Sequence, residues 1–310
     1  MKKVLVTGGS GMVGHEMQQL HPEFHYPTRD QLDLESLESV QAFLNENKFN
    51  TAIHLAARVG GVVDNSSYVA DFFSTNMLIN RNFLECCQRS GVKKVVSVLS
   101  TCVYPDAPYV KYPLTEDQLH LGPPHSSNFG YAFAKRMLDV QSRTLRLQHG
   151  CNFVTVIPNN LYGINDSFDL QSGHVIPSMI RRFYEAKTSG NNKVVCWGSG
   201  NPEREFTYSR DAATLIAWAA DHYNDSEPLN IGNVESITIR KLAEIIAKEV
   251  EFDGEIVWDT SKPDGQLRKP SSNRKLIEHG WKGSYTSFEL GLRETVRWFA
   301  KSYPNARGVR

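Results

Sequence analysis

The amino-acid sequence predicts an α/β protein: a doubly wound parallel sheet with a smaller C-terminal α/β domain attached. Three observations carry the prediction. Short β-branched runs alternate with amphipathic stretches of helix length through the first half of the chain, the rhythm of successive βα units. The runs are apolar throughout, as strands covered on both faces are. A glycine-rich turn stands at the first strand–helix junction, at the carboxyl edge where open α/β sheets place their sites.

The series begins with the strand "KKVLVTG" and the helix "GMVGHEMQQL". It continues through "FHYP" and "LESVQAFLNEN", "TAIHLAA" and "DFFSTNMLINRNFLECCQRSG", and "VVSVLS" and "YAFAKRMLDVQSRTLRLQHG", and ends in "FVTVIP". After Pro158 the rhythm loosens into the polar loops "NNLYGINDSFDLQSGHV" and "TSGNNKVVCWGSGNPEREF". Helical patterns return near 211–223, 239–250 and 288–302. Long loops in a compact domain build binding sites. The expected division is therefore a nucleotide-binding domain over residues 1–160 and a substrate domain over 161–310, with a segment near 205–235 rejoining the first sheet.

Composition narrows the class. Of 310 residues, 40% are hydrophobic and 22% charged, enough for a full core. Thirty-four basic residues balance 34 acidic ones, so no global field draws the chain to nucleic acid or to an anionic membrane. A charged ligand must be held by a local cluster. No segment is apolar enough to span a bilayer, and the chain starts on a strand-like run rather than on a secretory leader. The five cysteines are odd in number and lack metal-ligand spacing, Cys86 and Cys87 being adjacent and the rest isolated. A cytoplasmic protein with reduced thiols and no metal is expected.

The turn reads "Thr7-Gly8-Gly9-Ser10-Gly11-Met12-Val13-Gly14", with Gly8, Gly11 and Gly14 spaced G-x-x-G-x-x-G. Glycine is needed where the backbone turns tightly and approaches a pyrophosphate, and the helix N-terminus supplies free N–H groups. A glycine-rich turn without a ligand is the plain alternative. Its position at the first βα junction decides for a dinucleotide in a Rossmann-type sheet. NAD-selective sites carry an acidic residue about 20 positions on. Here that region reads "Tyr26-Pro27-Thr28-Arg29-Asp30". Arg29 suits the 2′-phosphate of NADP, although the neighbouring Asp30 leaves NAD open, and a solvated surface arginine is the ordinary reading.

"Tyr131-Ala132-Phe133-Ala134-Lys135" places a phenol and an ammonium at i and i+4 on one helix face. Alone, such a pair is weak. It follows the strand that ends in "Ser100-Thr101-Cys102", and that position strengthens it. A phenol of pKa about 10 needs a nearby cation to exchange protons near neutrality. Lys135 is expected to bring it down and to reach the nicotinamide ribose, while Ser100 and Tyr131 hold a substrate carbonyl oxygen.

Through "TGGSGMVG", "HLAARVGG", "LSTCVYP", "NFGYAFAKRMLDVQ", "GHVIP", "VCWGSGNPEREF" and "SKPDGQLRK", the chain resembles the extended short-chain dehydrogenase/reductases almost end to end. Within them it is similar to the epimerase/reductases acting on GDP-4-keto-6-deoxy-D-mannose. The resemblance implies NADPH/NADP+ as cofactor, epimerisation at C3 and C5, and hydride reduction at C4 to give GDP-L-fucose. Relatives that only epimerise or dehydrate carry an unreactive side chain at the Cys102 position. Inverting C3 and C5 needs a base beside the ketone, and a thiol of pKa about 8.5 lowered by an electropositive site serves. Cys102 is the expected base, and by the resemblance His174 returns the proton. Packing for a free buried cysteine and a surface place for a loop histidine are the ordinary readings.

The resemblance also implies who holds what. For the cofactor it points to Gly8, Gly9, Ser10, Gly11, Met12, Val13 and Gly14, then Arg29, Asp33, Leu55, Ala56 and Ala57, then Tyr131, Lys135, Pro158, Asn160, Leu161 and His174. For the GDP-sugar it points to Ser100, Thr101, Cys102, Asn160, Val175, Arg182, Trp197, Arg204, Lys262 and Asp264. It implies a homodimer through the helices near 71–89 and 131–149. Two stretches depart from the family pattern, at Asn159 and at Ile164-Asn165. The competing readings are a sugar-nucleotide 4-epimerase or dehydratase with tightly held NAD, and a non-catalytic dinucleotide-binding protein.

Overall fold

A computed structural model describes residues 3–262 and 264–309. In chain order its elements are β1 (Val4–Thr7), α1 (Met12–Leu20), α2 (Leu37–Glu46), β2 (Thr51–His54), α3 (Val62–Ser67), α4 (Val69–Arg89), β3 (Lys94–Val98), α5 (Phe129–His149), β4 (Asn152–Pro158) and β5 (Asn160–Tyr162). There follow α6 (Val175–Ser189), β6 (Lys193–Trp197), β7 (Glu203–Tyr208), α7 (Ser209–His222), β8 (Leu229–Ile231), β9 (Ser236–Thr238), α8 (Ile239–Val250), β10 (Glu255–Asp259), α9 (Arg274–Glu278) and α10 (Phe288–Ser302).

The main sheet runs β1-β2-β3-β4-β8, all parallel. Apolar strand residues divide between its two faces. Leu5, Ala52, Val95 and Phe153 pack under α2, α4 and α5. Val4, Val6, Ile53, Val96 and Val154 pack under α7 and Met17 of α1. This two-sided covering is the expected doubly wound class. The three later helices also fall at or near their predicted positions, as α7, α8 and α10.

One element differs. "FHYP" is expected as a second strand but makes only a single bridge to β1, with His25 N–H on Val4 O (2.9 Å) and Val6 N–H on His25 O (2.8 Å). Pro27 has no N–H to extend the ladder. The Tyr26 hydroxyl donates instead to Met17 O and His21 O, both at 2.9 Å, fastening the turn to α1.

A second lobe has its own core. β5, β7 and β9 form one small sheet and β6 and β10 another. Phe183, Ile246, Leu292 and Phe299 from α6, α8 and α10 are buried against them. The segment that returns to the main sheet as α7 and β8 is held there by polar contacts. Arg210 on α7 donates to the buried Glu16 of α1 at 3.1 Å. Asn230 on β8 takes the Tyr104 hydroxyl on its side-chain oxygen at 2.6 Å and gives its N–H to Glu116 at 2.8 Å. Among the described residues, no helix is long and apolar enough to cross a membrane.

Candidate active site

The glycine turn is tight by necessity. Gly8 has φ +75°, and a Cβ there would stand 2.8 Å from Ala56 N. A Cβ on Gly14 would stand 2.2 Å from Gly8 O. The first turn of α1 and the Leu55–Ala57 segment thus meet with only backbone between them, a cradle a side chain would fill. Its residues fit a dinucleotide phosphate, since the α1 N-terminus points free N–H groups into it.

A polar thread not legible in the sequence runs from this cradle into the interior. Ala56 N–H donates to Thr7 Oγ1 (3.3 Å), Thr7 Oγ1 meets His54 Nδ1 (2.9 Å), and His54 Nε2 meets Asn80 Oδ1 (3.2 Å). Asn80 Nδ2 reaches Ala134 O at 3.4 Å, one residue before Lys135. Burial brings His54 down to about 3. The neutral ring therefore donates from Nε2 to Asn80 and accepts from the Thr7 hydroxyl at Nδ1.

Ser100 follows the end of β3 and caps a short turn over Thr101–Val103, its Oγ 3.5 Å from Cys102 N. Arg136 on α5 holds that turn through Val103 O (3.1 Å from Nε). From the same helix Lys135 Nζ donates to Val98 O at 2.8 Å, and the Tyr131 ring stands edge-on to Phe72 of α4, 6.3 Å between centroids. A hydroxyl, a thiol, a phenol and an ammonium thus share the carboxyl end of β3.

Two electrostatic expectations need correction. The sequence predicts that Lys135 lowers the Tyr131 phenol, but burial pushes it well up and negative charge on Cys102 adds to the rise. Lys135 itself is brought down to about 8, because burial outweighs the pull of Cys102. The thiol of Cys102 is likewise raised by burial rather than lowered. The Ser100 hydroxyl, Lys269 and Lys135 act against that rise without cancelling it. In a low-dielectric site the desolvation of a charge exceeds what a few neighbours return.

Lys269 is a residue the sequence reading missed. It lies in the quoted run "SKPDGQLRK", and that run was the only available signal. Hydrogen bonds seat the segment against the site: Leu114 N–H on Pro270 O (2.8 Å), Glu203 N–H on Leu267 O (2.8 Å), and Ser271 on both oxygens of Glu205, from N at 2.9 Å and Oγ at 2.5 Å.

The predicted sugar-nucleotide residues fall into two adjoining groups. Arg182 on α6 and Lys262 both stand 5.7 Å from the exposed Trp197 ring, a pair of cations on one indole. Asp264 accepts from Ser199 N (2.6 Å) and Ser199 Oγ (2.8 Å), fastening the 264 segment to the loop after Trp197. Arg204 lies beside Gly265 and is coupled electrically to Tyr112 and Lys269. A chain of zero formal net charge thereby concentrates positive charge in one place. Asn160 is held through Glu205 O (2.8 Å), and Pro158, Asn160 and Leu161 form the crossing from β4 to β5.

His174 is exposed and directly precedes Val175, the first residue of α6. Asp169 shapes its loop by accepting Gln171 N (2.9 Å) and Ser172 N (2.7 Å). Ser172 O accepts Gly61 N–H at 2.8 Å, and a Cβ on Gly61 would stand 2.8 Å from that oxygen. The second glycine of "HLAARVGG" is thus a contact surface for the histidine loop. The two departures are also accounted for. Asn159 is buried, donating to Asn233 O and accepting from Thr207 Oγ1, both at 2.6 Å. Asn165 takes a left-handed φ of 60°, which asparagine tolerates, and donates to Ser10 O of the cradle at 3.1 Å.

Arg29 and Asp33 stand apart from these groups. The exposed Arg29 pairs with Glu35 at 2.9 Å, and Asp33 accepts Glu35 N at 3.0 Å within the same turn. A 2′-phosphate has to draw Arg29 from Glu35, an exposed pair worth little. Arg29→Ala is expected to erode the preference for NADPH over NADH, measured as the ratio of their dissociation constants. An unchanged ratio overturns the assignment of Arg29.

The parallel sheet, the glycine cradle and the Ser100–Tyr131–Lys135 set define a dinucleotide-dependent enzyme of the epimerase/dehydratase type. The family model of the NAD dependent epimerase/dehydratase family matches residues 4–232, and the chain belongs to that family. Its whole-length likeness is to GDP-L-fucose synthases. That of Dictyostelium discoideum is 40% identical over 99% of this chain and 98% of its own length, and that of Escherichia coli (strain K12) 35% identical over 99% of each. The crystal structure of a GDP-L-fucose synthetase from Naegleria fowleri bound to NADP matches with a TM-score of 0.92 and 38% identity, over 99% of this chain and 95% of that one.

Proposed function

We propose that this protein is an NADPH-dependent epimerase/reductase that converts GDP-4-keto-6-deoxy-D-mannose to GDP-L-fucose. The observation that carries the reading is the thiol of Cys102 beside Ser100, Tyr131 and Lys135 in a chain that resembles GDP-L-fucose synthases over its full length. A plain reductase has no use for that thiol.

In the proposed mechanism Cys102, as thiolate, takes the proton from C3 or C5. The electron pair left behind moves onto the C4 oxygen, where the Ser100 and Tyr131 hydroxyls donate to the enolate. His174 gives a proton to the opposite face of that carbon, and the two side chains reset through solvent before the second centre inverts. NADPH, which the Gly8–Gly14 cradle would hold, would supply the hydride for C4. Tyr131 then donates its phenolic proton to the developing alkoxide, a base strong enough to take it even from a raised phenol. Lys135 stabilises the resulting phenolate until it is reprotonated. Arg182, Arg204 and Lys262 hold the diphosphate end.

Residues 1–160 serve the cofactor and 161–310 the sugar nucleotide, with 205–235 returning to the first lobe. The pairing of β8 with β4 and the separate second core support that division. We place the protein in the cytoplasm, a reading supported by cysteines that are all free. Incubation with NADPH and the keto sugar, followed by NMR of the product, tests the activity. One NADPH consumed per GDP-L-fucose formed is expected, and turnover without NADPH consumption overturns it in favour of an internal NAD-dependent epimerase.

The proposed homodimer joins α4 and α5 of two copies. Supporting it, Phe73 and Leu78 of α4 and Val140 and Leu147 of α5 are exposed apolar side chains. Sedimentation velocity at micromolar concentration is expected to show a dimer. A monomer alone overturns this interface.

A further inference from the structure

Glu205 is a buried carboxylate that the mechanism above does not use. It lies on β7 between Arg204 and Phe206 and is only 3% exposed. Both of its oxygens are engaged by neutral donors. Oε1 accepts Ser271 N–H at 2.9 Å, and Oε2 accepts the Ser271 hydroxyl at 2.5 Å and the amide of Asn159, one of the two departures from the family pattern, at 3.5 Å. The backbone carbonyl of Glu205 accepts the Asn160 amide at 2.8 Å. Burial raises this carboxyl, and the bonds from Ser271 and Asn159 act against the rise.

A carboxylate taken out of water into a set of neutral donors is unfavourable and calls for a reason. Building β7 is not enough, since the strand is held by its backbone pairing with β5 and β9. What the carboxylate adds is a tie to a distant segment. Residues 264–272 form a strap outside any helix or strand. Asp264 fastens its start to Ser199, in the loop after Trp197. Gly265 then passes Arg204, Gln266 donates to Asp106 just beyond Cys102, and Leu267 O accepts Glu203 N–H at 2.8 Å. Pro270 O accepts Leu114 N–H at 2.8 Å, and Ser271 closes on Glu205. A segment with no ladder of its own keeps its place only through such ties. Carboxylate suits the last of them. It accepts at both oxygens, so it takes the N–H and the hydroxyl of one residue together and fixes Ser271 in rotation as well as in position.

We infer that Glu205 is a positioning residue for the sugar-nucleotide end of the site: its side chain latches the strap through Ser271, and its backbone carbonyl sets Asn160 in register with the neighbouring Arg204. The inference rests on the reading of Asn160, Arg204, Lys262 and Asp264 as contacts of the GDP-sugar. One buried residue thereby holds together β5, β7 and the strap, the three stretches that carry those side chains. Glutamine would not replace it, because it offers one acceptor and turns a donor toward the hydroxyl and amide that Oε2 now receives.

The test compares Glu205→Gln, Ser271→Ala and their combination. Each single variant should raise the sugar-nucleotide KM about tenfold, the usual size for losing one hydrogen bond to a charged group, with kcat near that of the parent and the NADPH dissociation constant unchanged. The double variant should be no worse than either alone, because both changes break one contact. Trypsin should cut the Arg268–Lys269 bond about tenfold faster in all three, as the strap opens more often. Losses that add in the double variant, or unchanged cleavage in both single ones, overturn the latch. Faster cleavage with an unchanged KM overturns the positioning role, since the strap then moves without the sugar nucleotide sensing it. A fall in kcat and NADPH affinity as large as the rise in KM marks a general lesion and overturns it as well. A parent that turns over no GDP-4-keto sugar overturns the proposed function instead, and the cleavage rates still decide the latch. Should Glu205→Gln not fold, Ser271→Ala, which keeps the N–H bond to Oε1, supplies both readouts, and parent-like cleavage and KM there overturn the inference.

Discussion

Cys102→Ser is expected to stop exchange of the C3 and C5 protons with deuterated solvent, with a loss of about 10²- to 10⁴-fold, the usual contribution of a general base. A serine hydroxyl in the same half-buried place is a far weaker acid than a thiol and is not ionised near neutrality. Tyr131→Phe should do the opposite. It removes the proton donated in reduction, so NADPH consumption should fall by a similar factor, while solvent exchange continues at the lower rate that Ser100 alone supports on the enolate oxygen. Wild-type exchange in Cys102→Ser removes the thiol from the mechanism, and loss of both activities in Tyr131→Phe shows that Ser100 alone does not hold the enolate. The pH dependence follows from burial. Because the thiol is raised, the exchange rate should climb as pH rises through its titration, and alkylation of Cys102 by iodoacetamide should climb with it. Lys269 acts against the rise. Lys269→Met should therefore move both curves to higher pH, and coincident curves would show that its charge does not reach the thiol.

His174→Gln is expected to remove most epimerisation, again by about 10²- to 10⁴-fold, and to leave NADPH affinity near that of the parent. The reason for the split is spatial. The cradle lies at Gly8–Gly14 on the first lobe, whereas His174 opens α6 on the second. Glutamine keeps the side chain's length and a hydrogen-bond donor but cannot release a proton near neutral pH. The measurement is deuterium incorporation at C3 and C5 beside the NADPH dissociation constant. Near-normal incorporation assigns the proton to water or another side chain, and a large loss of NADPH affinity makes His174 a cofactor contact first.

The parts of this protein that the sequence determined alone are those written in neighbouring residues. The glycine spacing of the cradle, the i, i+4 pairing of Tyr131 with Lys135, the hydroxyl and thiol after an apolar run, and the doubly wound rhythm are local or periodic. Each depends on backbone sterics or on the helical and strand repeats, which short segments carry by themselves. "FHYP" has the pattern of a strand, and Pro27 and the Tyr26 hydroxyl decide against a ladder only once α1 is in place to accept that bond.

What the tertiary structure alone decided is where distant residues meet and how much water they keep. Lys269 acts on Cys102 from the far end of the chain, Gly61 meets the loop before His174, and Thr7, His54 and Asn80 join three elements into one thread. None of these pairings has a fixed spacing, so no motif announces them. The direction of the shifts at Cys102, Tyr131 and Lys135 is of the same kind. A charged neighbour can be read from a sequence, but desolvation is the sum over everything packed around a group, and here that sum is larger than the neighbour's pull.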